Sequence, residues 1–131
     1  MTRVNRGWYH AKMHMWRDLR FFFRDRIVYY SAIVAVIFIV AQVLLLQLNI
    51  KPRSEPVSLH YTTYFGVDFI GAWYLLYLIP LLGFGLAILN LTLAFVFAKH
   101  DKLLSYILIL TIIFALLLLT IHTALLIRIN A

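Results

Sequence analysis

The chain has no cysteine and only five acidic residues in 131. Without cysteine there is no disulfide, no thiolate metal site, no iron–sulfur cluster and no cysteine nucleophile. Charge of either sign is scarce. Only 13% of residues are charged, 64% are hydrophobic, and the mean hydropathy is +0.91. A soluble domain is roughly half apolar and about a quarter charged. A soluble globular enzyme is therefore excluded, and so is a disordered chain, which needs low hydrophobicity. The length allows one domain, or about three or four membrane spans at most.

Three apolar runs are present, at residues 27–48, 71–98 and 103–129, and Arg128 is the one charged residue in them. A hydrocarbon core of about 30 Å needs ~20 apolar residues in a helix, so each run is long enough to span. The first run starts too late and is too long for a cleaved signal peptide. It ends in Leu46-Gln47-Leu48-Asn49-Ile50, with no small-residue cleavage site, so it is read as retained.

Nine of the twelve basic residues precede the first run or lie between the second and third; Lys51, Arg53 and Arg128 fall on the other side. The positive-inside rule then puts the N-terminus in the cytoplasm and the C-terminus outside a plasma membrane. The net charge of +7 is a membrane-surface signal, and nucleic acid is not needed to explain it.

Residues from about Trp8 to Arg26 repeat aromatic and apolar residues at spacings of three and four. This predicts an amphipathic helix lying in the headgroup region. Arg17, Arg20, Arg24 and Arg26 are its lipid-surface residues, worth about 1 kcal/mol each toward anionic headgroups. A docking surface for a cytoplasmic partner is the alternative. His10 and His14 stand at metal-chelating spacing, but no third ligand is near them in sequence.

The connector 49–70 is the one sizeable polar segment on the outer side. Pro52 and Pro56 favour an extended entry. Alternation over Val57–Thr62 predicts a short strand. Phe65-Gly66-Val67-Asp68 predicts a turn with Gly66 at positive φ, and Asp68 is a candidate cap for the second span. Tyr61, Tyr64, Phe65, Phe69, Trp73, Tyr74 and Tyr77 read as an interfacial aromatic belt.

The order Pro56-x-x-Leu59-His60-Tyr61, Gly66-x-Asp68-x-x-Gly71, Trp73, then Leu78-Ile79-Pro80-Leu81-Leu82 resembles the first module of the bacterial SdpI-type membrane proteins. That module carries a P-x-H-aromatic-N motif, then G-x-x-D and G, then a helix rich in Leu and Pro. The chain is also similar to small three-span bacterial membrane proteins. The resemblance covers about residues 50–95. It departs at Thr62, where the family has Asn. It implies a bacterial plasma-membrane location and makes His60, Tyr61, Gly66, Asp68, Gly71 and Trp73 a candidate external motif. In longer members of the family such a module serves immunity and signalling toward a secreted toxin.

Polar residues at membrane depth are the other candidates. Asn90 lies about 12 Å from the cytoplasmic end of its span, and Thr111 lies at similar depth, so the two can pair. Gln42, Tyr77 and His122 share a level nearer the outer side and form a second possible cluster. His122 reads first as a neutral hydrogen-bonded histidine and second as a proton relay. Ser31 and Ser105 lie near the opposite ends of their spans from His122, so no Ser–His dyad follows. Pro80 predicts a kink in the second span. Gly83 and Ala87 make a small-xxx-small pair, serving contact within the bundle or with another subunit.

These readings predict an all-α fold: a cytoplasmic interfacial helix over 1–26, then a three-span domain over 27–131 with an extended external connector. They predict no cofactor and no catalytic or metal site. The leading function is a non-enzymatic accessory or scaffolding subunit, whose partners are anionic lipid and other membrane subunits or a second copy. The alternatives are a homo-oligomeric transporter or channel component, and an immunity- or receptor-type protein that recognises an extracellular peptide.

Overall fold

The computed structural model describes residues 16–62, 64 and 66–130. The elements run in the order α1 (16–24), α2 (Arg26–Asn49), β1 (Val57–Thr62), β2 (Gly66–Gly71), a 3₁₀ turn (Trp73–Tyr77), α3 (Leu78–Phe97) and α4 (Lys102–Asn130). Three helices are long and apolar enough to cross a membrane: Arg26–Asn49, Trp73–Phe97 and Lys102–Asn130. These agree with the runs read from sequence to within two residues at every end.

α4 is the central helix. α2 and α3 both pack along it and touch each other little. Three apolar clusters lie along this axis. At the α1 end Phe22, Val28, Ala94 and Ile109 pack together; midway Ala35, Ile112 and Leu116 do so; at the hairpin end Leu46, Ile50, Val57, Leu76, Leu126 and Ile127 form the third.

Helix α1 does not run on to Arg26. The chain turns at Asp25, whose extended backbone (φ −65°, ψ 125°) makes it the N-cap of α2, with its carboxylate accepting from the Ile27 N–H. Such a cap satisfies one of the donors that a helix start leaves orphaned. In the described part of α1, Phe22 is buried, while Trp16, Phe21, Phe23 and all of Arg17, Arg20 and Arg24 are exposed, as is Arg26. Residues 8–15 of the expected amphipathic helix, with His10 and His14, lie outside the described residues.

The connector between the first and second spans is a β-hairpin, so the fold is helical with one small sheet and not purely α. β1 and β2 pair antiparallel: Val57 faces Gly71, Ser58 faces Ile70, His60 faces Phe69, and Tyr61 faces Val67. Leu59 on β1 and Asp68 on β2 are each left without a partner, two compensating bulges. Gly66 has φ +71°, the conformation glycine takes without penalty. The turn, however, precedes it. Val67 and Asp68 belong to β2, not to a turn, and Asp68 does not cap the second span. That role falls to Ala72, with no side-chain bond. Nor does Pro80 interrupt the middle of a helix. It sits in the first turn of α3, just past the 3₁₀-to-α change, where a missing N–H costs least.

Candidate functional site

A cavity of about 280 Å³ lies at the α1 end. Its roof is α1, through Asp18, Phe21 and Phe22; its walls are Phe95 and Ala98 of α3 and Ser105 and Tyr106 of α4. The two lysines of the α3–α4 turn, Lys99 and Lys102, reach its edge. α1 is held over it by two contacts. Lys99 forms a salt bridge with Asp18, and Phe22 meets Phe95 edge to face with ring centroids 5.5 Å apart. Asp25 closes the corner: while one oxygen caps α2, the other accepts from the Tyr106 hydroxyl at 2.6 Å. The Tyr106 hydrogen bond, helped by the Ile27 and Val28 N–H groups and the Lys102 charge, holds the Asp25 carboxyl below its ordinary value against a smaller opposing effect of burial. Ser105 ties α4 to α3 by donating to the Ala94 carbonyl at 2.9 Å.

Below this pocket, between α2 and α3, runs a second hollow of about 150 Å³. Ser31 is its one polar lining residue. Its α3 wall is Phe84, Ala87, Ile88 and Leu91; Leu91 is one turn from Phe95, which lines the upper pocket. The seam exists because α2 and α3 each follow α4 and diverge from one another, and because Ala32, Ala35 and Ala87 put no bulk into the gap.

The intramembrane candidates separate. Gln42 is fully buried and donates to the Thr120 hydroxyl at 2.9 Å and the Leu116 carbonyl at 3.3 Å. Thr120 spends its own proton on that same carbonyl, at 2.8 Å. Gln42 Oε1 is buried without a hydrogen-bond donor among the described residues. It faces α3, 3.9 Å from where a Cβ on Gly83 would stand. Gln42 is thus an α2–α4 link and does not join Tyr77 and His122. Tyr77 packs against the hairpin-end cluster and the Trp73 ring. His122 lies beside His60 of β1, with ring centroids 6.2 Å apart. Thr111 donates to Ile107 in its own helix at 2.8 Å, and among the described residues no hydrogen bond joins it to Asn90. Gly83 is buried, and a Cβ there would come within 2.9 Å of Leu116 and 3.2 Å of Leu119. Gly83 is therefore used inside the bundle, against α4, while Ala87 lines the seam toward α2.

At the far end the hairpin is fastened to the bundle. Asn130, the last residue of α4, accepts from the Ser58 N–H and donates to the Ser58 carbonyl, both at 2.7 Å. Arg53 donates to the Asn130 carbonyl at 2.8 Å. Of the connector motif read from sequence, Gly71 is explained by close approach: a Cβ would meet Leu59 at 2.6 Å and Leu75 at 3.0 Å. Trp73 packs on the hairpin-end cluster, and His60 is exposed. Tyr61 and Asp68 are strand residues of β1 and β2.

Asp25, Tyr106 and Asn130 were not singled out from sequence. For Asp25 the signal was there, since an Asp just before an apolar run marks a helix start. The long aromatic periodicity across residues 8–26 hid it. Tyr106 and Asn130 act over separations of more than seventy residues, for which a single sequence holds no signal.

Comparison with protein-family models, with curated proteins and with solved structures gives no match.

Proposed function

We propose that the protein is a small multi-pass plasma-membrane protein with a cytoplasmic N-terminus, working as a non-enzymatic accessory or scaffolding subunit of a larger membrane assembly. The observation that carries this reading is the hairpin. It is held in place by Asn130 and by the cluster beneath it, yet Tyr64, Phe69, Ile70 and Tyr74 stand exposed on it and beside it. A rigid element that presents large apolar side chains outward is a contact surface. The spans support the same reading: most residues along each of the three helices are not buried within the chain. That leaves wide helix surfaces for lipid or for other subunits. Arg17, Arg20, Arg24 and Arg26, all exposed around α1, suit the anionic headgroups of a cytoplasmic leaflet.

The test is purification of the full chain from its own membranes in mild detergent, with identification of what remains bound. A stoichiometric larger membrane protein, lost when Phe69 and Ile70 are both replaced by Ser, is the expected result. A lone chain or homo-oligomer, unchanged by those replacements, would sink the reading.

A second reading, recognition of an extracellular peptide, has one observation in its favour. Among the described residues β2 has no strand on its outer side, and a free strand edge can accept an extended peptide. Alanine at His60, Tyr61 and Asp68 should then abolish binding and leave expression normal. Lowered expression would make the three structural. The transporter reading needs Gln42, Asn90 and His122 on one shared path. Gln42 is enclosed within the single chain and His122 sits beside the hairpin, so it has no comparable support.

A further inference from the structure

We propose that the α1-end pocket and the seam below it together hold one anionic phospholipid, with its phosphate at Lys102 and one acyl chain lying between α2 and α3. The two hollows are lined by the same stripes of the same helices. On α2, Val28 lines the pocket, while Ala32 and Ala35, about one and two turns further, line the seam. On α4, Ser105 lines the pocket, while Ile109 and Ile112 line the seam. Polar groups crowd the upper hollow and are all but absent from the lower one. That is the profile of an amphiphile with its head at the helix ends and its tail directed into the bilayer.

The sign of the head follows from which charges are already engaged. Asp18 is paired with Lys99, and Asp25 caps α2 and accepts from Tyr106. Lys102 makes no hydrogen bond or ion pair among the described residues, and its charge acts on Asp25 across the pocket. Arg24 stands over the ring of Phe21, 5.9 Å from its centroid, and Phe21 lines the same pocket. Asp25 remains ionised, so Asp18 and Asp25 together stand against Lys99, Lys102 and Arg24, and the balance around the pocket is one positive charge. A phosphate that bears no compensating ammonium therefore fits better than a zwitterionic head.

The seam also fits a chain better than a helix. Its lining runs on α2 down to Ile39, eleven residues past Val28, or about 16 Å of helix. One leaflet of hydrocarbon is about 15 Å deep. A hollow of about 150 Å³ has no room for a second helix, which is about 10 Å across.

The experiment uses the full chain, stripped of lipid in detergent and titrated with dimyristoyl phosphatidylglycerol or dimyristoyl phosphatidylcholine, with bound lipid counted by native mass spectrometry. One phosphatidylglycerol per chain is expected, retained about tenfold better than phosphatidylcholine. Lys102→Gln, on the surface and harmless to folding, should cut phosphatidylglycerol retention about fivefold and leave phosphatidylcholine unchanged. Ala32→Leu, which puts a side chain into the seam, should weaken both lipids, with the helical circular dichroism signal kept as the check on folding. Equal retention of the two lipids by the native chain would overturn the proposal. So would an unchanged preference in Lys102→Gln, displacement of the lipid by sodium phosphate alone, or a lipid-free dimer whose formation Ala32→Leu blocks.

Discussion

Asn130 pairs with the backbone of Ser58 as a neighbouring strand would. Its carbonyl oxygen accepts from the Ser58 N–H and its amide donates to the Ser58 carbonyl, each at 2.7 Å. One side chain at the end of α4 thus closes the outer side of β1, a position seventy-two residues away in sequence. A two-stranded hairpin is marginal on its own. This one borrows its order from the bundle, through Asn130 and through Val57 packed under Leu76 and Leu126.

Removing that pairing should loosen the hairpin and little else. Asn130→Ala leaves the Ser58 N–H and carbonyl without their partner, at a cost of about 2 kcal/mol. Hydrogen exchange on the detergent-solubilised chain should then speed up over residues 57–71, while the membrane helices keep their protection. Uniformly faster exchange across α2 and α4 would mean that Asn130 supports the whole bundle.

The buried link between α2 and α4 is open to a double-mutant cycle. Gln42 and Thr120 share one hydrogen bond of 2.9 Å, and both also bond the Leu116 carbonyl. Within membranes such bonds average roughly 0.6 kcal/mol and reach about 1.7. Because Oε1 of Gln42 already lacks a donor, Gln42→Leu removes an unsatisfied acceptor along with the two bonds. The single replacement should therefore cost no more than about 1 kcal/mol, with a Gln42–Thr120 coupling below about 1.7. Unfolding in mixed micelles of increasing denaturing detergent measures both. A much larger coupling would show that the pair organises more than its own contact.

Gly83 and Gly85 differ by two positions and should differ in sign. A Cβ at Gly83 would meet Leu116 at 2.9 Å and Leu119 at 3.2 Å, whereas one at Gly85 has nothing within 4 Å. The obstructing atoms at Gly83 are the ends of leucine side chains, which can shift, so Gly83→Ala should cost little, whereas Gly83→Ile should cost about 1–3 kcal/mol by overpacking. Gly85→Ala should stabilise α3 by up to about 1 kcal/mol, through helix propensity alone. The same denaturation assay ranks the three variants, and any order that puts Gly85→Ala below Gly83→Ala would contradict the packing of α3 on α4.

The complete absence of cysteine makes topology simple to test. His100→Cys lies in the α3–α4 turn and Ser54→Cys in the approach to β1, both exposed. In intact cells an impermeant maleimide should label the second and not the first, and lysis should open the first to labelling. The reverse pattern would put the basic end outside and defeat the positive-inside assignment.

The parts of this molecule that were legible in sequence are those set by bulk solvation. Each span needs only length and apolarity, so Arg26–Asn49, Trp73–Phe97 and Lys102–Asn130 fall within two residues of the runs. Gly66 announced its positive φ, because few other residues tolerate it. What depth alone could not settle was azimuth. Counting residues puts Gln42, Tyr77 and His122 at one level, but Gln42 faces Thr120 and Gly83, Tyr77 packs with the hairpin-end cluster, and His122 lies beside His60. Thr111 illustrates the same point: its hydroxyl is satisfied one turn back, by Ile107, and never needs Asn90. The two bulges at Leu59 and Asp68 shift the strand pairing by one residue and back again, a local irregularity that the alternation of Val57–Thr62 does not announce.

Asp25 gives the molecule an acid-dependent corner between α1 and α2. Its carboxylate caps α2 at Ile27 and accepts from Tyr106, and that hydrogen bond is the main reason its pKa lies below the ordinary 3.8. A carboxyl depressed by folding stabilises the folded state fully above its unfolded value, and that contribution is lost as pH falls through the lower folded value. The Asp25 contribution should thus be level from neutrality down to about pH 5 and decline below about pH 4. Asp25→Ala should cost about 1 kcal/mol at pH 7 by loss of the cap, whereas Asp25→Asn keeps the capping oxygen and should cost only a few tenths. In Asp25→Asn the acid step should shrink, because the titrating group is gone. In Tyr106→Phe the step should move upward in pH, because the hydrogen bond that favours the charged form has been removed. Thermal unfolding of the three variants in detergent, followed between pH 3 and 7, separates these effects. An acid step of undiminished size in Asp25→Asn would assign it to other carboxylates and leave Asp25 with the cap alone.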